Sequence, residues 1–215
     1  MRIVLIAAKH LAFAKTRLAP HIPAEERAAL AEAMFRDVFA AALGARSADH
    51  VAVVSSDPGL LALARGAGAI AIDEEYPRGL NAAVALATGA LAAQRADAVC
   101  TVLSDIPLIT AGDIDAVFAA MPQEGRGAVL VPSRDFSGTN VIARAPAGVI
   151  PTRFGRFSLV KHLDDCRQLG LPCEVLRLSR PALDLDLPSD LVEFVRAASP
   201  SHTLSHLTRL GIAHH

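Results

Sequence analysis

The sequence predicts an α/β fold built on one mainly parallel mixed sheet with flanking helices, on three observations. Strand-like apolar runs alternate with helix-like segments at short intervals, as βαβ units require. Two of the runs, 3–8 and 98–103, contain no charge, which suits central strands buried on both faces. Charged side chains gather just past the ends of such runs, at the edge where open α/β sheets bind ligands.

At 215 residues the chain is long enough for one core that buries roughly 70% of its unfolded surface. A formal charge of -1 gives no electrostatic footprint for nucleic acid, so a basic patch must be local and serve a small anion. Cys100, Cys166 and Cys173 are odd in number and lack CxxC spacing, which points to reduced thiols in a cytoplasmic protein. Lys9 interrupts the first apolar run too soon for a secretory signal, and the alanine-rich stretch 81–93 falls short of the ~20 residues that span a bilayer. No membrane partner is expected, and a monomer and a homodimer fit the pattern equally. The domain is expected over residues 1–198, with 199–215 as a tail or short solvated helix.

The first strand, 3–8, leads into a connection that carries Lys9, Lys15 and Arg17, three cations placed to neutralise phosphate. Pro23 opens a helix to Ala45, with Leu30, Met34 and Val38 stacked on one face and Glu32 four residues before Arg36 on a wetter one. A strand at 51–55, a helix opened by Asp57-Pro58 and broken at Gly66–Gly68, and a strand at 69–72 follow. Residues 76–81 form a turn into the alanine-rich helix; Asn81 stands where an N-cap is expected, and capping and ligand contact both fit it. After the strand 98–103 come Ser104, Asp105 and Pro107, and Thr110-x-x-Asp113 makes a capping box for a helix to Ala120.

A strand at 128–132 and a polar connection 134–140 lead to a strand at 141–143. Ser137-Gly138-Thr139-Asn140 has the chemistry of an anion nest, and equally that of a turn without a ligand. Gly155 lets backbone approach, and Ser158 is expected to cap a helix to Leu169 whose positive end suits phosphate. A strand at 173–178 is followed by 181–188, read as a further strand whose alternation puts Asp184 and Asp186 on one face. Two like charges at that spacing repel unless a cation sits between them and a third partner, and Asp105 can be that third partner around one or two Mg²⁺. Pro188 opens the closing helix to Ala198. His202 and His206 share a helical spacing, but no third zinc ligand accompanies them. An aspartyl-phosphate phosphatase would place its Asp-x-Asp after the first strand, so that reading fails on position.

Six blocks in order carry a resemblance: Lys9 to Pro20 with Ala14-Lys15-Thr16-Arg17-Leu18, Gly79-Leu80-Asn81-Ala82-Ala83, Asp105-Ile106-Pro107-Leu108, Ser137-Gly138-Thr139-Asn140, Phe154-Gly155-x-x-Ser158, and Leu183-Asp184-Leu185-Asp186-Leu187-Pro188. Together they resemble the 2-phospho-L-lactate guanylyltransferase family, which includes the phosphoenolpyruvate and 3-phospho-D-glycerate enzymes. The resemblance implies a nucleotide-diphospho-sugar-transferase-like (Rossmann-like) fold and transfer of GMP from GTP to a small phosphorylated carboxylic acid, in coenzyme F-420 biosynthesis. On the matched positions Asp105, Asp184 and Asp186 would hold Mg²⁺, with Lys15 among the catalytic groups. Lys9, Arg17 and Asn81 would attend GTP, and Thr139, Gly155 and Ser158 would bind the acceptor's phosphate.

The chain departs from the family in having no proline before Lys9 and in Thr16 where serine is frequent. His10, Phe13 and Phe136 lie near the expected pocket and bear on the acceptor. The Gly-Gly-rich first loop of sugar-phosphate and molybdopterin nucleotidyltransferases is absent, which disfavours both. A non-catalytic nucleotide-binding module on the same fold is the reading that competes with the enzyme.

Overall fold

The computed structural model describes residues 1–123 and 125–212. Strand β1 (Arg2–Ala7) is apolar from its second residue onward and lies in the interior of a seven-stranded sheet. After two 3-10 turns, helix α1 (Ala24–Gly44) starts behind Pro23 with Glu25 and Glu26 in its first turn, where the helix dipole favours acids. Next come β2 (His50–Ser55), α2 (Pro58–Gly66), β3 (Ile70–Asp73) and α3 (Leu80–Ala93), then β4 (Ala98–Leu103) and α4 (Ala111–Ala119). Strands β5 (Gly127–Pro132) and β6 (Thr139–Ala145) form a hairpin before α5 (Ser158–Gln168), β7 (Cys173–Val175), α6 (Pro188–Ala197) and α7 (His202–Arg209).

The sheet order is β3-β2-β1-β4-β6-β5-β7, with β6 antiparallel to both neighbours and all other pairs parallel. Reversal of β6 has a consequence for the site: its first residues, Thr139 and Asn140, arrive at the edge where β1, β4 and β5 end. The chain winds outward from β1 to β2 on one side and β4 on the other, so their carboxyl ends flank a crevice. Val4 and Ile6 pack with Phe35, Val38 and Leu60 on one face of the sheet, while Ile3 and Leu5 pack with Val84, Leu91 and Leu159 on the other. None of the described helices is long and apolar enough to cross a membrane.

Three expectations are corrected. The extended segment 181–188 forms no ladder and meets the strand ends through two main-chain bonds: Leu185 N–H donates to the Asp105 carbonyl at 3.0 Å, and Arg134 N–H donates to the Ala182 carbonyl at 2.9 Å. Strand β7 is shorter than expected, ending at Val175. The C-terminal helix is docked: Leu207 is fully buried with Leu30, Met34 and Phe194, and the Asp37 carboxylate of α1 accepts the N–H groups of His202 and Thr203 at 2.9 and 2.8 Å. An amphipathic helix this short is held by its packing rather than by propensity. His206 is buried against α1 while His202 is exposed, so the two imidazoles face apart; His214 and His215 lie outside the described residues.

Candidate active site

The crevice is a cleft of about 670 Å³ at the carboxyl ends of β1, β4 and β5. Its acidic wall is built by residues far apart in sequence. Burial of Ala14 and Leu18 pins the segment after β1, and Lys15 between them takes the left-handed backbone conformation, φ 51° and ψ 40°. That conformation costs a non-glycine residue roughly 1–2 kcal/mol. It turns the side chain inward, where only 6% of it is exposed. Lys15 Nζ donates to Asp105 Oδ2 and to Asp186 Oδ1, both at 2.9 Å. The exposed Arg17 guanidinium donates to Asp186 Oδ2 at 3.1 Å. Lys9 stands exposed on the rim, close enough for its charge to act on Asp186.

Leu183 and Leu185 are buried, so the alternation of an extended chain turns Asp184 and Asp186 to the cleft, as their spacing predicts. Two contacts aim this segment. Asn140 Nδ2 donates to the carbonyls of Pro181 and Ala182 at 3.0 and 3.1 Å, and Asp184 Oδ1 is 3.5 Å away. Arg180 donates from Nε and Nη2 to the two oxygens of Asp113 at 2.9 and 2.7 Å. The expected Thr110–Asp113 capping box is present. Asp113 therefore both caps α4 and anchors the acidic segment.

The carboxylates titrate differently because their neighbours differ. Burial, then the charges of Asp105 and Asp186, push Asp184 above the usual carboxylate range. Burial works the same way on Asp186, but the Lys15 ammonium, with Arg17 and Lys9, prevails and holds it below that range. Burial also pulls the Lys15 ammonium down, and Asp105 and Asp186 more than reverse this, leaving its pKa raised. Asp105 Oδ1 is buried without a hydrogen-bond partner.

The opposite wall comes from the β5–β6 turn and the start of α5. The expected anion nest is already filled from within: the Asp135 carboxylate takes the Ser133 hydroxyl and both the N–H and hydroxyl of Ser137, which lowers its pKa to about 2. Gly138 N–H donates to Ser133 Oγ at 2.7 Å, and a Cβ on Gly138 would stand 2.9 Å from that oxygen. Thr139 is left facing the cleft, its Oγ1 3.1 Å from His162 Nδ1. Ser158 is the first residue of α5 rather than its cap, because Phe157 occupies the cap position with φ 58°. The Ser158 hydroxyl is buried, lines the cleft and has no hydrogen-bond partner. Gly155, at φ 114°, has open space where a side chain would be.

Asn81 is neither a cap nor a cleft residue. Gly79 caps α3, while Asn81 Nδ2 donates to the Phe154 carbonyl at 3.0 Å and Asn81 Oδ1 accepts the Phe154 N–H at 2.8 Å. Its amide is spent on holding the loop that carries Gly155. His10 and Phe13 line a smaller apolar side pocket with Glu74, Pro77, Gly79 and Leu80, which shares Ala7, Ala8 and Lys9 with the main cleft. Phe136 lies on the surface under the Arg177 guanidinium, 5.0 Å from its ring centroid. Asn140, read as part of the 137–140 connection, anchors the acidic segment instead, and Arg180 and His162 were not legible as site residues; His162 falls on the buried stripe of α5 with Leu159 and Cys166, the one pattern that marks it.

Comparison with known proteins identifies the family. The phosphoenolpyruvate guanylyltransferase of Sphaerobacter thermophilus is 38% identical over 191 residues, covering 89% of this chain and 91% of that protein. The 3-phospho-D-glycerate guanylyltransferase of Phenylobacterium zucineum is 37% identical over 201 residues, covering 92% and 91%. The 2-phospho-L-lactate guanylyltransferase of Methanothermobacter thermautotrophicus is 32% identical over 206 residues, covering 96% and 89%. Among solved structures, a nucleotidyl transferase from that last organism superposes with a TM-score of 0.66 at 14% identity, covering 92% of this chain and 99% of the other, a likeness of fold alone. The family described as "Guanylyl transferase CofC like" matches residues 1–215, and the chain belongs to that family.

Proposed function

We propose that the chain moves GMP from GTP to the phosphate of phosphoenolpyruvate, 2-phospho-L-lactate or 3-phospho-D-glycerate, releasing pyrophosphate, as a step towards coenzyme F-420. One observation carries this reading: a single cleft joins a charge-locked lysine and three carboxylates on one wall to two hydroxyls and the start of a helix on the other. The first wall suits a nucleoside triphosphate, the second a small phosphorylated acid.

An acceptor phosphate oxygen attacks the α-phosphorus of GTP in line; the new P–O bond forms as the bond to the bridging oxygen breaks, and pyrophosphate leaves with that electron pair. Catalysis of this kind is mainly positioning and neutralisation of charge. Lys15, Arg17 and Lys9 meet the triphosphate, and Thr139, Ser158 and the main chain at Gly155 seat the acceptor. Asn81 acts one step back, by fixing the Phe154–Gly155 main chain. In the side pocket, apolar walls suit the faces of a purine, and Glu74 offers a carboxylate to the paired N–H donors of guanine.

The donor set fits a hard divalent cation. Asp105 Oδ1 is buried and unpaired, Asp184 is turned to the same cleft, and Mg²⁺ is usually held by one or two carboxylates with substrate phosphates. Both oxygens of Asp186 are already engaged, by Lys15 and Arg17, whereas Lys15 takes only Oδ2 of Asp105, so Asp105 through Oδ1 and Asp184 would be the cation's principal holders. Bound there, the ion would neutralise charge developing on the transferred phosphoryl group.

The test is pyrophosphate release from GTP and Mg²⁺ with each of the three acids supplied separately. Release with at least one acid is expected, and its loss on chelation. No release with any of them, while GTP still binds, would leave a nucleotide-binding module instead. Ser158→Ala separates function from stability on the acceptor side. Because it removes a buried hydroxyl that lacks a partner, it should leave stability unchanged or raise it by up to about 1 kcal/mol, while raising the acceptor KM about ten-fold. Thermal melting and initial rates read the two effects independently.

A further inference from the structure

The hydrogen bonds around His162 determine which of its nitrogens carries the proton. The imidazole is fully buried, and the Phe154 ring meets it edge-on at a centroid distance of 5.8 Å and an interplanar angle of 80°. His162 Nε2 lies 2.7 Å from the Arg153 main-chain nitrogen, whose N–H can only donate, so Nε2 must accept and is unprotonated. The ring is neutral at pH 7. Burial, then the Arg144 guanidinium, lowers its pKa to about 4, with Arg153 and Lys161 acting the same way and Asp165 in opposition. A neutral imidazole has one N–H, which therefore sits on Nδ1, 3.1 Å from Thr139 Oγ1. Thr139 accepts that hydrogen bond, and its own hydrogen has no other protein acceptor among the described residues.

We propose that His162 is a positioning residue that, by donating from Nδ1 to Thr139 Oγ1, turns the threonine hydroxyl hydrogen into the cleft, where it and the Ser158 hydroxyl form a two-donor seat for the acceptor's phosphate. The proposal rests on the reading of Thr139 and Ser158 as acceptor-side residues. Phosphate oxygens are strong acceptors, so a hydroxyl fixed as a donor binds them without first being turned. With the other tautomer, Thr139 would donate to the histidine and present lone pairs to the anion.

Two substitutions separate the roles of the two nitrogens. His162→Gln carries an acceptor towards the Arg153 N–H but no donor at the Nδ1 position; His162→Asn keeps a donor towards Thr139 and gives up Arg153. His162→Gln is expected to raise the acceptor KM about ten-fold with GTP KM and kcat changed by less than about two-fold, whereas His162→Asn keeps the acceptor KM within about two-fold. In a Thr139→Val background, His162→Gln should add less than about two-fold, because the group it acts through is gone. Equal effects of the two substitutions, or full additivity with Thr139→Val, would overturn the proposal. The tautomer has its own readout in long-range ¹H–¹⁵N correlation spectra of the unliganded protein, with His162 assigned by its loss in His162→Gln. A protonated Nδ1 and bare Nε2 are expected from about pH 5 to about pH 8. A protonated Nε2, or titration near the ordinary histidine value, overturns the proposal whatever the enzyme does. Should no acid support turnover, titration of the same variants with phosphoenolpyruvate decides: a Kd unchanged in His162→Gln rejects the role, and a Kd raised about ten-fold upholds it.

Discussion

Asp105→Asn is expected to lower kcat by about two orders of magnitude, some 3 kcal/mol of transition-state stabilisation, with the fold intact. The substitution leaves the main-chain carbonyl that accepts the Leu185 N–H, so the acidic segment stays docked. What changes is charge. Lys15 keeps Asp186 but loses the ionic partner in the turn after β4, and the buried unpaired Oδ1, the best-placed ligand for a cation, becomes part of a neutral amide. Initial rates of pyrophosphate release at saturating GTP, beside melting curves of both proteins, check this. Wild-type turnover would remove Asp105 from the catalytic machinery.

Lys15→Met should have the larger combined effect, reducing turnover to background and destabilising the protein by about 3 kcal/mol at pH 7. Removing one partner from a buried charge cluster leaves the others uncompensated, at a typical cost of ~3–5 kcal/mol; Asp105 and Asp186, 28% and 34% exposed, keep some water and favour the lower end. The pH dependence carries a sign. Asp186 has a folded pKa below its unfolded ~3.9, so its contribution in the wild type is present above that value and lost as pH falls through the folded one. Lys15 has a folded pKa above its unfolded ~10.4, so its contribution persists at all lower pH and is lost only in strong alkali. In Lys15→Met the carboxylates face each other unscreened and bind protons more readily when folded. The deficit against wild type should therefore be largest near pH 7 to 8 and shrink below about pH 5, as protonation relieves the repulsion. Urea unfolding across that range would show it; a deficit independent of pH would mean that Lys15 acts by packing alone.

Much of this site could be read from residue order because its chemistry is local. Asp105 follows an uncharged strand, and Asp184 and Asp186 alternate with leucines that the core claims, so spacing alone turns both to one side. The residues that hold them in place were hidden for a physical reason. Asn140 acts on carbonyls some forty positions away, Arg180 on a carboxylate that already looked fully employed as a cap, and His162 on a threonine 23 positions away on the neighbouring strand. Periodicity shows which way a side chain points and says nothing of what it meets. Asn81 illustrates the converse: an amide at a helix start reads as a cap, yet the loop opposite supplied better partners for both its ends. The Asp-rich segment passed for a strand because alternation is a property of extended chain, with or without a ladder.

The bond from Lys15 to Asp186 joins residues 171 positions apart. During synthesis the amino-terminal strands emerge first and can begin to pack before the acidic segment exists. Such a nascent chain has the lysine and, later, Asp105, but not the carboxylates that complete the acidic wall of the cleft. A ligand stabilises only the state that binds it. With GTP as the substrate proposed above, nucleotide would strengthen finished molecules and give no support to partial ones, tuning the persistence of the mature protein without touching the efficiency with which it is made.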